Sequence, residues 1–538
     1  MPRDLSAAFA QQFDMLVIGG GSNGTAVARD AALRGLKVAL LEKEDFGYGT
    51  VSRSTRLIHG GLRYLELFDF GLVREGLRER EILLRTAPHL VHPLAFFTPV
   101  YKNSRVGVPK LRVGMWLYDL LSWDKSLPRH RFLNREEAAA AEPLLTTEGL
   151  RGAFVYYDGH VPMPERLCLE AALQAAAHGA VIVNHARAEK LQRTGDLYLV
   201  TARDELTART YEVRAKSVIN ATGPWADEVN DRLVGAAQPE LRRTKGIHLL
   251  VPKLSRHAVV MLAESDGRLF FAIPWGDYTY IGTTDTDFSG DLDRVRAERE
   301  EFEYLIRETK RVFPGADVGR VHFSTAGVRP LVRDPRARHE GQVSRKHRVK
   351  HHEDEGYPGY FSVLGGKITN MRAVAEDTVD AVVRWLGAQV KPCTTREALF
   401  PGGMHPDMDR FKEELAGRYG AHGFARETVN NLVDLYGTVA SEVLDLAVQE
   451  PELARPVREG EPDIWAQLAF SVRREWTYTT ADFLLRRSSM GLRPGMALRV
   501  APEVARRLGR YLQRTDEEVA ADLAAYEQAV ALMPGTPD

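Results

Sequence analysis

With only two cysteines, Cys168 and Cys393, the chain has no disulfide framework and no cysteine-rich zinc site, and this usage fits a reducing compartment. It also lacks any run approaching the roughly 18 uninterrupted apolar residues that a membrane-spanning helix needs. The opening residues, MPRDLSAAFAQQFD, hold no apolar stretch of signal-peptide length, so a soluble or peripheral protein is expected. An excess of one charge is missing too. Lysine and arginine number 72 against 73 acidic residues, a formal net charge of -1, which balances even the stretch holding Arg506, Arg507 and Arg510. Without an aromatic-interleaved basic module, a nucleic acid is not an expected partner. What remains is a chain of globular composition, 44% hydrophobic and 27% charged, whose 538 residues call for two or three domains.

The chain is organised around Phe13 to Tyr64. Met15, Leu16, Val17 and Ile18 form an apolar run that stops at Gly19, as a buried parallel strand would. Gly19, Gly21 and Gly24 supply the G-x-G-x-x-G spacing, a helix follows, Lys37 to Leu41 forms a second strand, and Glu42 closes it where an acidic residue meets a ribose hydroxyl. Gly19 permits the turn, Gly21 lets the backbone approach a pyrophosphate, and Gly24 lets helix pack on strand. This predicts a dinucleotide. After Glu42 the chain does not go directly to another helix but enters a segment rich in Gly, Ser, Thr and Arg, from Gly47 to Gly61.

That segment, GTVSRSTRLIHGGLRYL, resembles the flavin-covering loop of FAD-dependent glycerol-3-phosphate dehydrogenases, and GGGSNGTAVARDAALRGLKVALLEKEDF resembles their FAD-binding start. NATGPWAD, IGTTD, GVRPL and GGKIT recur in the family's order, so the resemblance covers at least Phe13 to Arg372, and LLRRSSMGLRPG further on resembles a recurring piece of the family's C-terminal helical domain. It implies FAD as cofactor, with contacts from Gly19, Gly21, Gly24, Glu42, Ser52, Ser54, Thr55, Ala221, Gly223, Gly366 and Thr369. It also implies oxidation of sn-glycerol 3-phosphate to dihydroxyacetone phosphate. Two departures touch flavin contacts: Thr50-Val51-Ser52 stands where Thr-Ser-Ser is common, and Thr369-Asn370-Met371 where Thr-Thr-Tyr is common.

Along the rest of the chain the pattern predicts a helix over Phe70 to Ala87 with a solvated charged face, and an extended stretch from Pro93 to Tyr101. Met115, Trp116, Leu117, Tyr118, Leu120, Leu121 and Trp123, flanked by Lys110, Arg112, Lys125, Arg129 and Arg131, read either as a core helix or as an interfacial segment on anionic lipid. Gly149 to Tyr157 is expected to rejoin the nucleotide sheet through a helix from Pro164 and a strand at Ala180 to Asn184. Leu197 to Ala202 and Thr210 to Ala215 read as a hairpin, and Ser217 to Ala221 as a separate short strand. Arg242 to Pro252, Leu269 to Pro274 and Thr279 to Thr284 read as a second, antiparallel sheet. Short amphipathic helices follow Pro401, expected at Asp409 to Tyr419, Arg426 to Tyr436, Ser441 to Val448, Ile464 to Glu475, Thr480 to Leu485 and Pro502 to Leu512. The expected fold is α/β: a discontinuous Rossmann-like FAD-binding domain (13–92, 150–235 and 320–390), an antiparallel-sheet substrate domain (93–149 and 236–319) and an all-helical C-terminal domain (400–538).

The resemblance carries over to Arg63, Tyr64, His248, Arg329, Arg345 and Lys367. Arg63 and Arg345 are assigned to the phosphate, since planar guanidinium forks grip phosphate in two directions, with Tyr64 donating a hydroxyl bond. Arg329 and Lys367 belong nearer the C2 oxygen, although Lys367 would serve the phosphate equally. His248 is the first candidate for the base and His59 the second. No metal is expected. The related oxidases carry a longer insertion in the substrate region that this chain lacks, so a membrane quinone is expected to take the electrons. That sets the protein in the cytoplasm, peripheral on the inner face of the cell membrane. A glycerol-3-phosphate oxidase using oxygen and an amino-acid or amine oxidase are the alternatives, and a homodimer is left open.

Overall fold

The apolar run Met15 to Ile18 is at most 5% exposed because both faces of its strand are covered. In the computed structural model, which describes residues 3–236, 238–333 and 346–536, this strand (Gln12–Ile18) pairs in parallel with Val38–Leu41 on one side and with Thr210–Asn220 on the other. Among the described residues it belongs to an eight-stranded sheet that continues to Tyr360–Leu364 and Arg348–His351 at one edge and Val181–Val183 at the other. Helices Ser22–Leu33, Pro164–Ala177 and Met371–Leu386 share one hydrophobic core with these strands, through Val27, Leu167, Val379 and Val17. This is the doubly covered parallel sheet that a continuous apolar run demands.

One sequence expectation needs correction here, and one strand is new. Thr210–Asn220 is one strand: its first half pairs antiparallel with Leu197–Asp204 and its second half parallel with Gln12–Ile18, so a single element changes neighbours midway. Its polar first half and apolar second half reflect exposure, and they mimic two strands. The partner of Leu197–Asp204 on its other edge, Ala186–Thr194, escaped the sequence reading because its outer half is solvated.

The second sheet has ten strands among the described residues. Leu241–Pro252 lies between Tyr278–Gly282 and Phe323–Val332, and the sheet runs on through Leu269–Trp275, Ala258–Leu262, His92–Tyr101 and Leu150–His160. Leu150–His160, expected to rejoin the nucleotide sheet, pairs here instead, and so does Phe323–Val332, which fell within the expected 320–390 cofactor segment. Phe154 faces one core with Met115 and Tyr118, while Val155 faces another with Leu249 and Leu305. An antiparallel strand covered on both faces carries the same apolar run as a parallel one, so the pattern alone does not separate them.

Helix Val108–Leu121 is neither purely core nor purely surface. Met115 and Tyr118 point inward, whereas Trp116 is 60% exposed, Leu120 68% and the following Trp123 77%. The C-terminal domain is helical as expected, with Met408–Gly420, Arg426–Tyr436, Ala440–Gln449, Trp465–Arg474 and Ala501–Leu512 close to their predicted bounds. It adds Asp516–Ala531, started by a Thr515/Glu518 capping box. The predicted Thr480 to Leu485 helix is a single turn, Thr480–Asp482, running into a π turn at Phe483–Arg487.

Candidate active site

Between the two sheets lies a cavity of about 1620 Å3. At one end the Gly19 turn makes its wall. Gly19 has φ +109°, and a Cβ there would meet the Ala221 carbonyl oxygen at 2.6 Å; one at Gly24 would lie 1.8 Å from the Gly19 oxygen. Both glycines are therefore required by packing within the protein. Gly21 is different, for a Cβ there meets no protein atom within 4 Å and would project into open space at the cavity wall. The Ser22–Leu33 helix starts at that point with no side chain capping it, which leaves N-terminal amide groups for an anion. Glu42 accepts from Gly20 N at 2.6 Å and from Glu44 N at 2.8 Å, and burial raises its pKa against those bonds. Asn23 Oδ1 and Trp225 Nε1, on lining residues, are buried without a hydrogen-bond partner among the described residues. A glycine cradle, an uncapped helix start, a buried acid and spare polar atoms suit a dinucleotide.

Of the expected cofactor contacts, Gly19, Gly21, Glu42, Ser54, Thr55, Ala221, Gly223, Gly366 and Thr369 line this cavity. Gly24 packs behind it. Ser52 does not line it either, since its hydroxyl turns back to donate to the Tyr48 carbonyl at 2.7 Å. The sequence reading missed Asn23, Tyr48, Trp225 and the Ala186–Ala188 edge, all of which line the cavity. Trp225 lay within the quoted NATGPWAD turn and was open to recognition, while Ala186 to Ala188 carried no motif.

At the other end His59, Tyr64, Arg329 and Lys367 line the same cavity. Arg329 Nη1 donates to Asp285 at 2.9 Å and Nη2 to Thr283 Oγ1 at 2.8 Å and the Thr284 carbonyl at 3.1 Å, which fixes the guanidinium. Gly246 is needed beneath it, because a Cβ there would sit 2.3 Å from Nη2. Lys367 Nζ stands 3.8 Å from the centroid of the Tyr64 ring, a cation over an aromatic face. His59 is held by its backbone N–H donating to Thr369 Oγ1 at 3.1 Å. Burial brings its pKa down to about 4, with Lys367 and Arg80 adding to the effect and Asp158 opposing it. The imidazole is thus neutral at ordinary pH.

His248 is not in the cavity wall. Its Nε2 meets Thr55 Oγ1 at 2.9 Å and its ring stacks on Tyr280 at 4.9 Å, so it reaches the cavity through the Thr55 side chain. Burial, then Arg329 and Arg56, hold its pKa well below the usual histidine value. The Arg63 backbone lies in the short 3-10 stretch Leu62–Leu67, but its side chain is outside the described part of the protein. Arg345 lies outside the described residues altogether.

A parallel-sheet dinucleotide cradle opening onto a cationic pocket walled by an antiparallel sheet defines a flavin-dependent oxidoreductase. Residues 14–381 match the FAD dependent oxidoreductase family, and residues 393–519 match the C-terminal domain of alpha-glycerophosphate oxidase. The chain is 41% identical over 497 residues to the glycerol-3-phosphate dehydrogenase of Synechocystis sp., covering 89% of each. It is 34% identical over 493 residues to the aerobic glycerol-3-phosphate dehydrogenase of Staphylococcus aureus, covering 89% of this chain and 86% of that one. The structure of the Bacillus halodurans glycerol-3-phosphate dehydrogenase complexed with FAD superposes with a TM-score of 0.80 at 31% identity, covering 97% of this chain and 95% of that one. The chain belongs to the FAD-dependent glycerol-3-phosphate dehydrogenase family.

Proposed function

We propose that this protein is an FAD-dependent dehydrogenase that oxidises sn-glycerol 3-phosphate at C2 to dihydroxyacetone phosphate and hands the electrons to a membrane quinone. One observation carries the reading: the dinucleotide cradle and the group formed by Arg329, Lys367 and neutral His59 open into a single cavity. The cofactor, when bound, supplies the acceptor for the hydride leaving C2. Everything else falls to the side chains. The C2 hydroxyl loses its proton to the His59 imidazole, which at a pKa of about 4 is unprotonated and ready to accept it. Arg329, fixed by Asp285 and Thr283, stabilises negative charge developing on the C2 oxygen. Lys367, with the Tyr64 ring beneath it, is the described cation for the phosphate, a role that the family resemblance extends to Arg63 and Arg345. Thr55 bonded to His248 gives a second route for a proton, less direct than His59.

The quinone and membrane parts rest on the rest of the cavity. It continues between helix Val108–Leu121 and the second sheet, where Phe96, Leu111, Leu117, Val260 and Phe271 line it, an apolar passage suited to a quinone ring. Trp116 and Leu120 project from the outer face of that helix and Trp123 is exposed just beyond it, while Val113 and Phe68 are exposed at the cavity's rim. Exposed Lys110, Arg112 and Arg129 belong to the same stretch of chain. Large apolar groups with basic neighbours suit the headgroup region of an anionic membrane, each favourably placed cation adding about 1 kcal/mol. Among the described residues no helix is long and apolar enough to cross a membrane, and the attachment we propose is peripheral, on the cytoplasmic face. Steady-state turnover of glycerol 3-phosphate, with dihydroxyacetone phosphate quantified, tests this by comparing a soluble quinone analogue with air-saturated buffer. Fast peroxide formation without quinone reduction would make the protein an oxidase.

A further inference from the structure

A buried ionic cluster lies outside the active site, where the C-terminal domain meets the nucleotide sheet. Asp45 is fully buried, three residues beyond Glu42. Its Oδ2 accepts from Arg486 Nε at 2.6 Å and Arg487 Nη1 at 2.5 Å, and its Oδ1 from Arg487 Nη2 and Asn184 Nδ2, both at 2.9 Å. Asp482 accepts from Arg486 Nη2 at 2.8 Å and pairs with His185 Nε2 at 2.9 Å. Arg487 also donates to the Glu475 carbonyl, and Asn184 to that of Trp476. Asp45, His185 and Asp482 bring ligand atoms within 4.8 Å of one another, as a metal site would, but these groups are already engaged by the two arginines and by each other.

On its other side the same loop forms part of the cofactor cradle. Gly47 N donates to the Gly20 carbonyl at 3.0 Å, and Gly20 N to Glu42 Oε2 at 2.6 Å. A Cβ at Gly20 would touch Glu42 Cβ at 2.9 Å and the Phe46 ring at 3.0 Å, so Phe46 lies against the glycine turn. Behind Phe46 stands Trp476, edge-on with ring centroids 5.6 Å apart. His185 N and Ala186 N donate to the Glu44 and Glu42 carbonyls, both at 2.7 Å. The C-terminal domain therefore grips the back of the loop whose front carries Glu42.

From this geometry we propose that Arg486, Arg487 and Trp476 are positioning residues for FAD, forming an in-chain clamp by which the C-terminal domain holds the Glu42–Gly47 loop in its cofactor-binding conformation; this rests on the FAD reading above. A buried carboxylate stripped of its guanidinium partners does not stay where it was, and Phe46 and Glu42 move with Asp45. Residues far from the flavin's reactive end thus set how tightly the adenosine end is held.

The test compares the full-length holoenzyme with Arg487→Met, Arg486→Met and Trp476→Leu, using Leu508→Ala as a control. Leu508 is a buried residue of the Ala501–Leu512 helix, in the same domain but away from the clamp contacts. FAD dissociation is followed by recovery of free-flavin fluorescence, alongside melting temperature, kcat per bound flavin and KM for glycerol 3-phosphate. The clamp predicts an FAD Kd raised about tenfold or more in Arg487→Met and less in Trp476→Leu. Leu508→Ala, at a similar loss of melting temperature, keeps the wild-type Kd, and kcat per bound flavin and KM hold throughout. Equal Kd values in Arg487→Met and Leu508→Ala would overturn the clamp. If Arg487→Met does not fold, the same comparison with Trp476→Leu decides. A wild-type chain that takes up no FAD overturns the cofactor reading, and the clamp with it.

Discussion

Arg329 and Asp285 face each other across 2.9 Å at the cavity wall, and further guanidinium bonds, to Thr283 and the Thr284 carbonyl, leave Arg329 little freedom to turn. A fork held this way needs no reorganisation as charge develops on the substrate. Arg329→Ala should lower kcat/KM by about a hundredfold or more, with most of the loss in kcat. Gly246→Ala should reproduce part of that loss without touching the charge, since its new Cβ overlaps Nη2. Steady-state kinetics on both variants check this. A Gly246→Ala enzyme with unchanged kcat would show that the fork's position does not matter.

The two candidate bases separate by access. His59 lines the cavity and His248 reaches it only through Thr55. His59→Asn should therefore lower kcat by about 10²-fold or more, and His248→Asn by less. The acid limb of kcat/KM should fall near pH 4, where the depressed His59 takes up its proton. The reverse ranking of the two variants would assign the base to His248.

Three histidines also make stability depend on pH, His160 and His248 buried and His59 half-buried at the cavity wall. His59 is lowered to about 4, His160 to about 3, and His248 well below its ordinary value, each chiefly by burial. The unfolded chain protonates these groups from about pH 6.5 downward while the folded chain does not. Their stabilising contribution, complete above that pH, is lost as pH falls toward the folded values, by up to about 1.4 kcal/mol per pH unit for each group. His185 acts oppositely. Although burial disfavours its charged form, Asp482 raises its pKa overall, so its contribution is fully present below about pH 6.5 and fades as pH rises through the raised value. The three outweigh the one, and thermal melts from pH 8 to pH 5 should show a falling midpoint. A midpoint that rises on acidification would contradict this balance.

Exposed apolar groups on helix Val108–Leu121 should matter for attachment and not for chemistry. Replacing Trp116, Leu120 and Trp123 together by serine should weaken flotation with anionic vesicles by about tenfold or more. Turnover with a soluble quinone analogue should stay at the wild-type level. Unchanged flotation would move the membrane contact elsewhere on the surface.

Much of this was legible in the sequence where local chemistry and tertiary role coincide. The strand, glycine turn and helix from Gln12 to Leu33 read correctly because the turn needs glycine, the strand needs both faces apolar, and both demands are local. Sheet membership was not legible for Leu150–His160 or Phe323–Val332, since pairing partners are set by which layers cover a strand, and both faces of Leu150–His160 are covered. At the site, motifs brought His59, Tyr64, Arg329 and Lys367 to one cavity, but they could not tell that His248 stands a side chain behind the wall. Ser52 shows the same limit, because its hydroxyl found a nearer backbone carbonyl at Tyr48. The pairing of Asp45 with Arg486 and Arg487 was not legible, since the two arginines are more than 400 residues away and the LLRRSSMGLRPG stretch that holds them says nothing of its partner.

The most direct measurement of the central claim is an anaerobic titration of the purified, FAD-loaded protein followed by its visible flavin absorbance. Glycerol 3-phosphate should bleach the flavin stoichiometrically with formation of dihydroxyacetone phosphate, while glycerol, lacking the phosphate that Lys367 and its cationic neighbours would bind, should do so poorly. A flavin that stays oxidised with glycerol 3-phosphate but is bleached by an amino acid would contradict the account.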